Sequence, residues 1–138
     1  MSNFYTDVKD FHIAFGQRVG DKPELPDTKE RTLRMKLLAE EMYEYTVAEN
    51  ENDLVEVADA LADIIYIACG TAVSYGIPLD KVFAEVHRSN MAKLVDGKPL
   101  YREDGKVMKP EGWTPPDVEG VLKKSHQEYI CKIAQITL

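Results

Sequence analysis

Three acids, Glu40, Glu41 and Glu44, crowd into the stretch LLAEEMYEY beside Leu37, Leu38 and Met42. A second set, Glu56, Asp59 and Asp63, recurs in EVADALAD. Glu41 with Glu44, and Glu56 with Asp59, have i, i+3 spacing, and Asp63 lies one turn beyond Asp59. On a helix such pairs share a face, about 5–6 Å apart at Cβ, and like charges there repel. Taken alone, EExxE most often marks a solvated face. Here no Lys or Arg occurs between Lys36 and Lys81 to neutralise the acids. If the two segments are consecutive helices joined by a short turn near Asn50–Asn52, the pairs face each other. Carboxylates converging in a helical core need a cation. An all-oxygen donor set without Cys or His suits Mg²⁺ or Mn²⁺.

The elements that must position these acids are helical. Phe4, Val8, Phe11 and Phe15 recur at helical spacing, predicting a first helix from about residue 3 to Gln17. GDKPELPDTKE reads as a loop, with Asp27 or Thr28 as N-cap of a second helix that ends near Asn50. Asp53, with Glu56 in the capping-box position, starts a third helix that stops at Gly76. A fourth runs from Leu79 to about Leu94. On the third helix, Leu54, Ala58, Leu61, Ile65 and Ala68 fall on one side, and Glu56, Asp59 and Asp63 on the other. Ile64 to Val73 carries no charge on any face, so cover from a second subunit is expected.

Beyond Lys93 the chain turns Gly- and Pro-rich, and Asp104-Gly105 between PLYR and KVMK is a hairpin signal. Residues 1–95 are therefore read as a helical core of four-helix-bundle type, 96–120 as a hairpin or flap, and 121–138 as a tail, either helical or irregular. EVHRSNMAKL closes the fourth helix. Its Asn90 and Lys93, at i, i+3, suit the far side of a polyphosphate held by metal. The macrodipole alone explains cations at a helix C-terminus, but not Asn90. Trp113, beside Pro115 and Pro116, reads as a pin for the flap. An aromatic lid over a base is the sharper alternative. His12 reads as a packed or capping histidine.

A net charge of −7 and a sequence pI near 5.0 disfavour duplex nucleic acid as a partner. The longest charge-free stretch, Ile64 to Leu79, is broken by Gly70, Gly76 and Pro78, so no membrane span is expected. The N-terminus lacks the pattern of a signal peptide. Cys69 and Cys131 have no metal-ligand spacing, and a reducing cytoplasm is the expected location.

EExxE at 40–44 followed by ExxD at 56–59 resembles the MazG-like, all-α nucleotide pyrophosphohydrolases, a superfamily that includes dimeric dUTPases and phosphoribosyl-ATP pyrophosphohydrolases. DFHIAFG, DALADIIYIACGTAVSYGIPLDKVFAEVHRSNMAKL and DGKPLYREDGKVMKPEGW resemble stand-alone bacterial and phage members, over about residues 8–118. The resemblance implies a helical bundle assembled as a homodimer or homotetramer. It implies Mg²⁺-dependent cleavage of a nucleoside triphosphate between the α and β phosphorus atoms. Glu41, Glu44, Glu56 and Asp59 match its metal positions, and Glu40 its leading acid, behind the ligands or as water-activating base. Asn90 and Lys93 match its nucleotide-contacting helix end. Asp63, next to the apolar run, competes with Asp59 for one ligand place, or both serve. The rival reading is a non-catalytic helical interaction protein with an acidic surface. A di-metal oxidase would need Glu-x-x-His, and no Glu here has a His three residues on.

Overall fold

A computed structural model describes residues 3–137, so the last residue of the predicted tail, Leu138, lies outside it. The protein is all-α: α1 (Phe4–Ala14), α2 (Thr28–Glu51), α3 (Leu54–Tyr75), α4 (Leu79–Met91) and α5 (Val118–Thr137). Among the described residues there is no strand, only isolated antiparallel bridges at Val95–Lys98 and Tyr101–Val107. The chain forms two compact units, Met1–Leu79 and Asp80–Leu138.

In the first unit α3 packs against both α1 and α2. Side-chain caps set the helix starts. Asn3 accepts from the Tyr5 and Thr6 N–H groups, Asp27 from Glu30, and Asp53 from Val55 and Glu56. α2 ends at Asn52 with φ 56°, a left-handed conformation that Asn tolerates better than most residues. Asn52 and Asp53 are the whole connection to α3, so α2 and α3 form a tight helical hairpin. α3 ends at Gly76, with φ 66°, where a Cβ would collide with the Lys22 carbonyl.

Val8, Ala48, Ala60, Cys69, Ala72 and Val73 make the apolar core. Phe11 stacks on Phe15 at 4.3 Å and meets Tyr66 edge-on at 5.6 Å. By length and mean hydropathy (1.5) α3 meets the requirement for a bilayer span, as the central helix of a packed unit also does. Only 33% of its most apolar window is buried, however. Leu54, Ala58, Leu61 and Ile65, the predicted apolar side, are solvent-facing in the single chain.

The core also holds a polar cluster. Arg34 is buried on α2 and its Nε donates to Glu30 Oε1 at 3.0 Å. The same oxygen accepts from Ser74 Oγ on α3 at 2.7 Å. Arg18 Nε donates to the Ser74 carbonyl at 3.0 Å, and His12 Nδ1 donates to the Arg18 carbonyl at 2.8 Å. A carbonyl only accepts, so this bond puts the proton on Nδ1. Gly70 makes room for the cluster: a Cβ there would lie 3.0 Å from both Arg34 Nη1 and His12 Nε2. Burial would raise the Glu30 carboxyl, but the Ser74 and Arg34 hydrogen bonds and the Arg34 charge outweigh it and hold the group below its ordinary range.

The second unit is organised by α4. Glu85 takes a bidentate contact from Arg88 (2.7 and 2.8 Å) and accepts the Asp117 N–H at 2.9 Å. One turn on, buried Ser89 donates through Oγ to the Thr114 carbonyl, and its own carbonyl accepts the Trp113 indole N–H at 2.7 Å. These bonds pin residues 113–117 to α4, which puts α4 in one compact unit with the flap. The flap itself is a hairpin around Asp104-Gly105. Arg102 N–H reaches Lys106 O at 2.8 Å and Met108 N–H reaches Leu100 O at 2.7 Å. It is too short to be more than a single bridge, Tyr101–Val107. The tail is helical, as α5.

Candidate metal and phosphate site

α2 and α3 bring the two acid sets together. Glu41 is half-buried, and its Oε2 is shut off from solvent with no hydrogen-bond partner. Burial raises the Glu41 carboxyl above its ordinary range first. The negative charges of Asp63, Glu44, Glu40 and Asp59 add to this, in that order. Both contenders for the disputed place, Asp59 and Asp63, therefore act on Glu41, Asp63 more strongly. Asp63 is half-buried, whereas Glu40, Glu44, Glu56 and Asp59 are exposed.

Glu56 is not among the groups that act on Glu41. It lines an open cleft of about 400 Å³ with Glu44, Tyr43, Val47, Ala48 and Glu51. Glu44 thus belongs to both groups. Among the described residues no three acids, His or Cys close into a ready coordination cage. The donor chemistry fits a hard divalent cation: only carboxylate oxygens, one of them buried and unpaired.

Tyr43 and Glu51 were not singled out from the sequence. Glu51 lies seven residues after Glu44, two turns on and therefore on its face, and that spacing was the available signal. In the second unit Lys93 Nζ donates to Asn90 Oδ1 at 2.9 Å, so the predicted pair is joined. Lys93 Nζ also lies 5.4 Å from the Trp113 ring centroid, and Lys109 Nζ 4.9 Å. Lys109 carries no sequence signal, because only the folded flap brings it to Trp113.

An all-α protein whose helical hairpin brings together carboxylates from both of its helices offers the donor chemistry that suits a hard divalent cation. The chain belongs to the phosphoribosyl-ATP pyrophosphohydrolase family, whose sequence model matches residues 8–90, more than half of its length. This membership points to a hydrolase of the nucleotide-pyrophosphohydrolase type. An uncharacterized protein of Acanthamoeba polyphaga mimivirus is 36% identical over 80 residues. The match takes in 55% of this chain and 32% of that relative, so the matched part spans about a third of the viral protein.

Proposed function

We propose that this protein is a Mg²⁺-dependent nucleoside triphosphate pyrophosphohydrolase that converts a (d)NTP to the (d)NMP and pyrophosphate. The observation that carries this reading is the buried, unpartnered Glu41 oxygen amid like charges from both helices. A buried carboxylate in that setting is costly unless a cation meets it.

Glu41, Glu44, Glu56, Asp59 and Asp63 would hold Mg²⁺, or Mn²⁺ in its place. A cation held there would supply charge to offset the phosphates and would make a bound water more acidic for in-line attack. Glu40, exposed and one residue before Glu41, would stand behind the ligands or take the proton of the attacking water. Asn90 and Lys93, already joined, present an amide and an ammonium to phosphate oxygens. The exposed Leu54–Ala58–Leu61–Ile65 stripe supports assembly of the bundle as a homodimer or homotetramer. A cytoplasmic location, a (d)NTP ligand, and the absence of a membrane or duplex partner complete the reading.

The test is a (d)NTP panel with product identification. Monophosphate and pyrophosphate should form with Mg²⁺ and not in EDTA. Full activity of Glu41→Gln or Glu56→Gln on the cleanest substrate would sink the assignment. No turnover of any (d)NTP, with no calorimetric binding of Mg²⁺ or Mn²⁺, would leave the acids as the surface of an interaction protein.

A further inference from the structure

We propose that Trp113, with Lys109 and Lys93, is a platform in the second unit that stacks the nucleobase and holds the phosphate of a nucleotide. The ligand class rests on the function proposed above. The residues lie beyond 8–90, the part that matches the family.

The ring is held in place. Its indole N–H is committed to the Ser89 carbonyl, its backbone N–H bonds the Pro110 carbonyl at 3.1 Å, and Gly112 turns the chain just before it with φ 78°. The indole is half-buried, with part of it open to solvent. Lys93 and Lys109 both bring an ammonium within cation–π range of this one ring.

Among the described residues neither Lys93 nor Lys109 forms an ion pair with a carboxylate, as holds for most lysines of this chain, and the Lys93 ammonium donates to the neutral Asn90 amide. The observation that matters is that both ammonium groups lie at one indole. Two unneutralised ammonium groups at one fixed indole, in a strongly acidic chain, form a local site for an anion that also has an aromatic face. A lysine over a ring is a weakly held occupant on a flexible arm. A planar base can take its place on the indole, and the displaced ammonium then meets the phosphate. An inorganic anion would use the lysines but not the fixed ring.

Trp113 is the single tryptophan, so intrinsic fluorescence of the full chain reads this site directly. In EDTA, which stops turnover, nucleoside monophosphates, nucleosides and inorganic tripolyphosphate are titrated in turn. The expected result is quenching by at least one monophosphate, weakened about tenfold in Lys109→Ala, the size of one charged contact. The matching nucleoside should quench more weakly, and tripolyphosphate should not quench. Lys109 is exposed, so the variant should keep the wild-type circular dichroism and melting curve. Quenching by no nucleotide overturns the platform. So does an affinity unchanged in Lys109→Ala, or a tripolyphosphate response equal to that of the nucleotide.

Hydrolysis is assayed separately with Mg²⁺. Turnover with a silent tryptophan removes the platform and leaves the proposed function. Quenching without turnover of any (d)NTP does the reverse.

Discussion

α2 and α3 meet at two polar places, and the two are opposites. Toward the start of α2, Glu30 is gripped by Arg34 and Ser74, every partner in place. About three turns further on, Glu41 faces Asp63, Glu44, Glu40 and Asp59 with an oxygen bonded to nothing. The same helix pair therefore holds one carboxyl below its ordinary range and another above it. Burial pushes both upward, and the sign of the neighbouring charges decides the outcome. The paired end fixes how the helices lie against each other. The unpaired end is costly in the isolated chain and is the place for a ligand.

Substitutions at the two ends should therefore have opposite signs. The largest effect is expected on chemistry: Glu41→Gln should lower (d)NTP hydrolysis more than about a hundredfold, beyond what losing a mere ligand support costs. In EDTA the same variant should melt a few degrees higher than wild type, because a neutral amide removes the disfavoured charge. Mg²⁺ should raise the wild-type melting temperature more than that of the variant. A lowered melting temperature for Glu41→Gln in EDTA would break the comparison.

Next in size, Arg34→Ala should destabilise the fold by about 3 kcal/mol in denaturant titration, since it strands Glu30 beside Ser74. Gly70→Ala should cost about 1–3 kcal/mol by the same measurement, since the added methyl presses on Arg34 and His12.

pH sharpens the contrast. The Glu30 carboxyl is depressed, so its stabilisation is present above the ordinary value of 4.5 and is lost as pH falls through the lower folded value. The Glu41 carboxyl is raised, so its penalty is present at neutral pH and fades as pH falls through the raised value. Wild type in EDTA should therefore gain on Glu41→Gln as pH drops from 7 toward 4.5, read from paired melting curves. The smallest effect belongs to Glu85, a paired acid on α4. Its hydrogen bonds from Arg88 and then from the Asp117 backbone hold it at about 2. The melting-temperature gap between wild type and Glu85→Gln should be constant above pH 4.5 and close as pH falls toward 2.

The unpaired end was legible in the sequence and the paired end was not. Glu41, Glu44, Glu56, Asp59 and Asp63 announce themselves by periodic spacing in a stretch without cations, and spacing is local information. The helix limits at Asp27, Asp53 and Gly76 were readable for the same reason, because capping is chemistry between near neighbours. Arg34 in KERTLRMK looks like any solvated arginine. Its burial depends on Ser74, 44 residues from Glu30, and on the missing Cβ of Gly70. The split of the acids into a group around Glu41 and a cleft shared by Glu44 and Glu56 depends on how the helices are rotated, which spacing alone does not give. Trp113 was read as a pin, and the Ser89 bond makes it one. The lysines over its ring come from two separate segments.

The left-handed Asn52 and the capping Asp53 that follows it act as a phase-setting gear between the two acid rows. Each helical residue advances the chain by about 100°. One residue inserted between them would turn α3 by more than a quarter revolution against α2. Asp59 and Asp63 would swing away from Glu41 with every carboxylate still present in the sequence. The spacing across this turn is therefore as much a part of the site as the acids themselves.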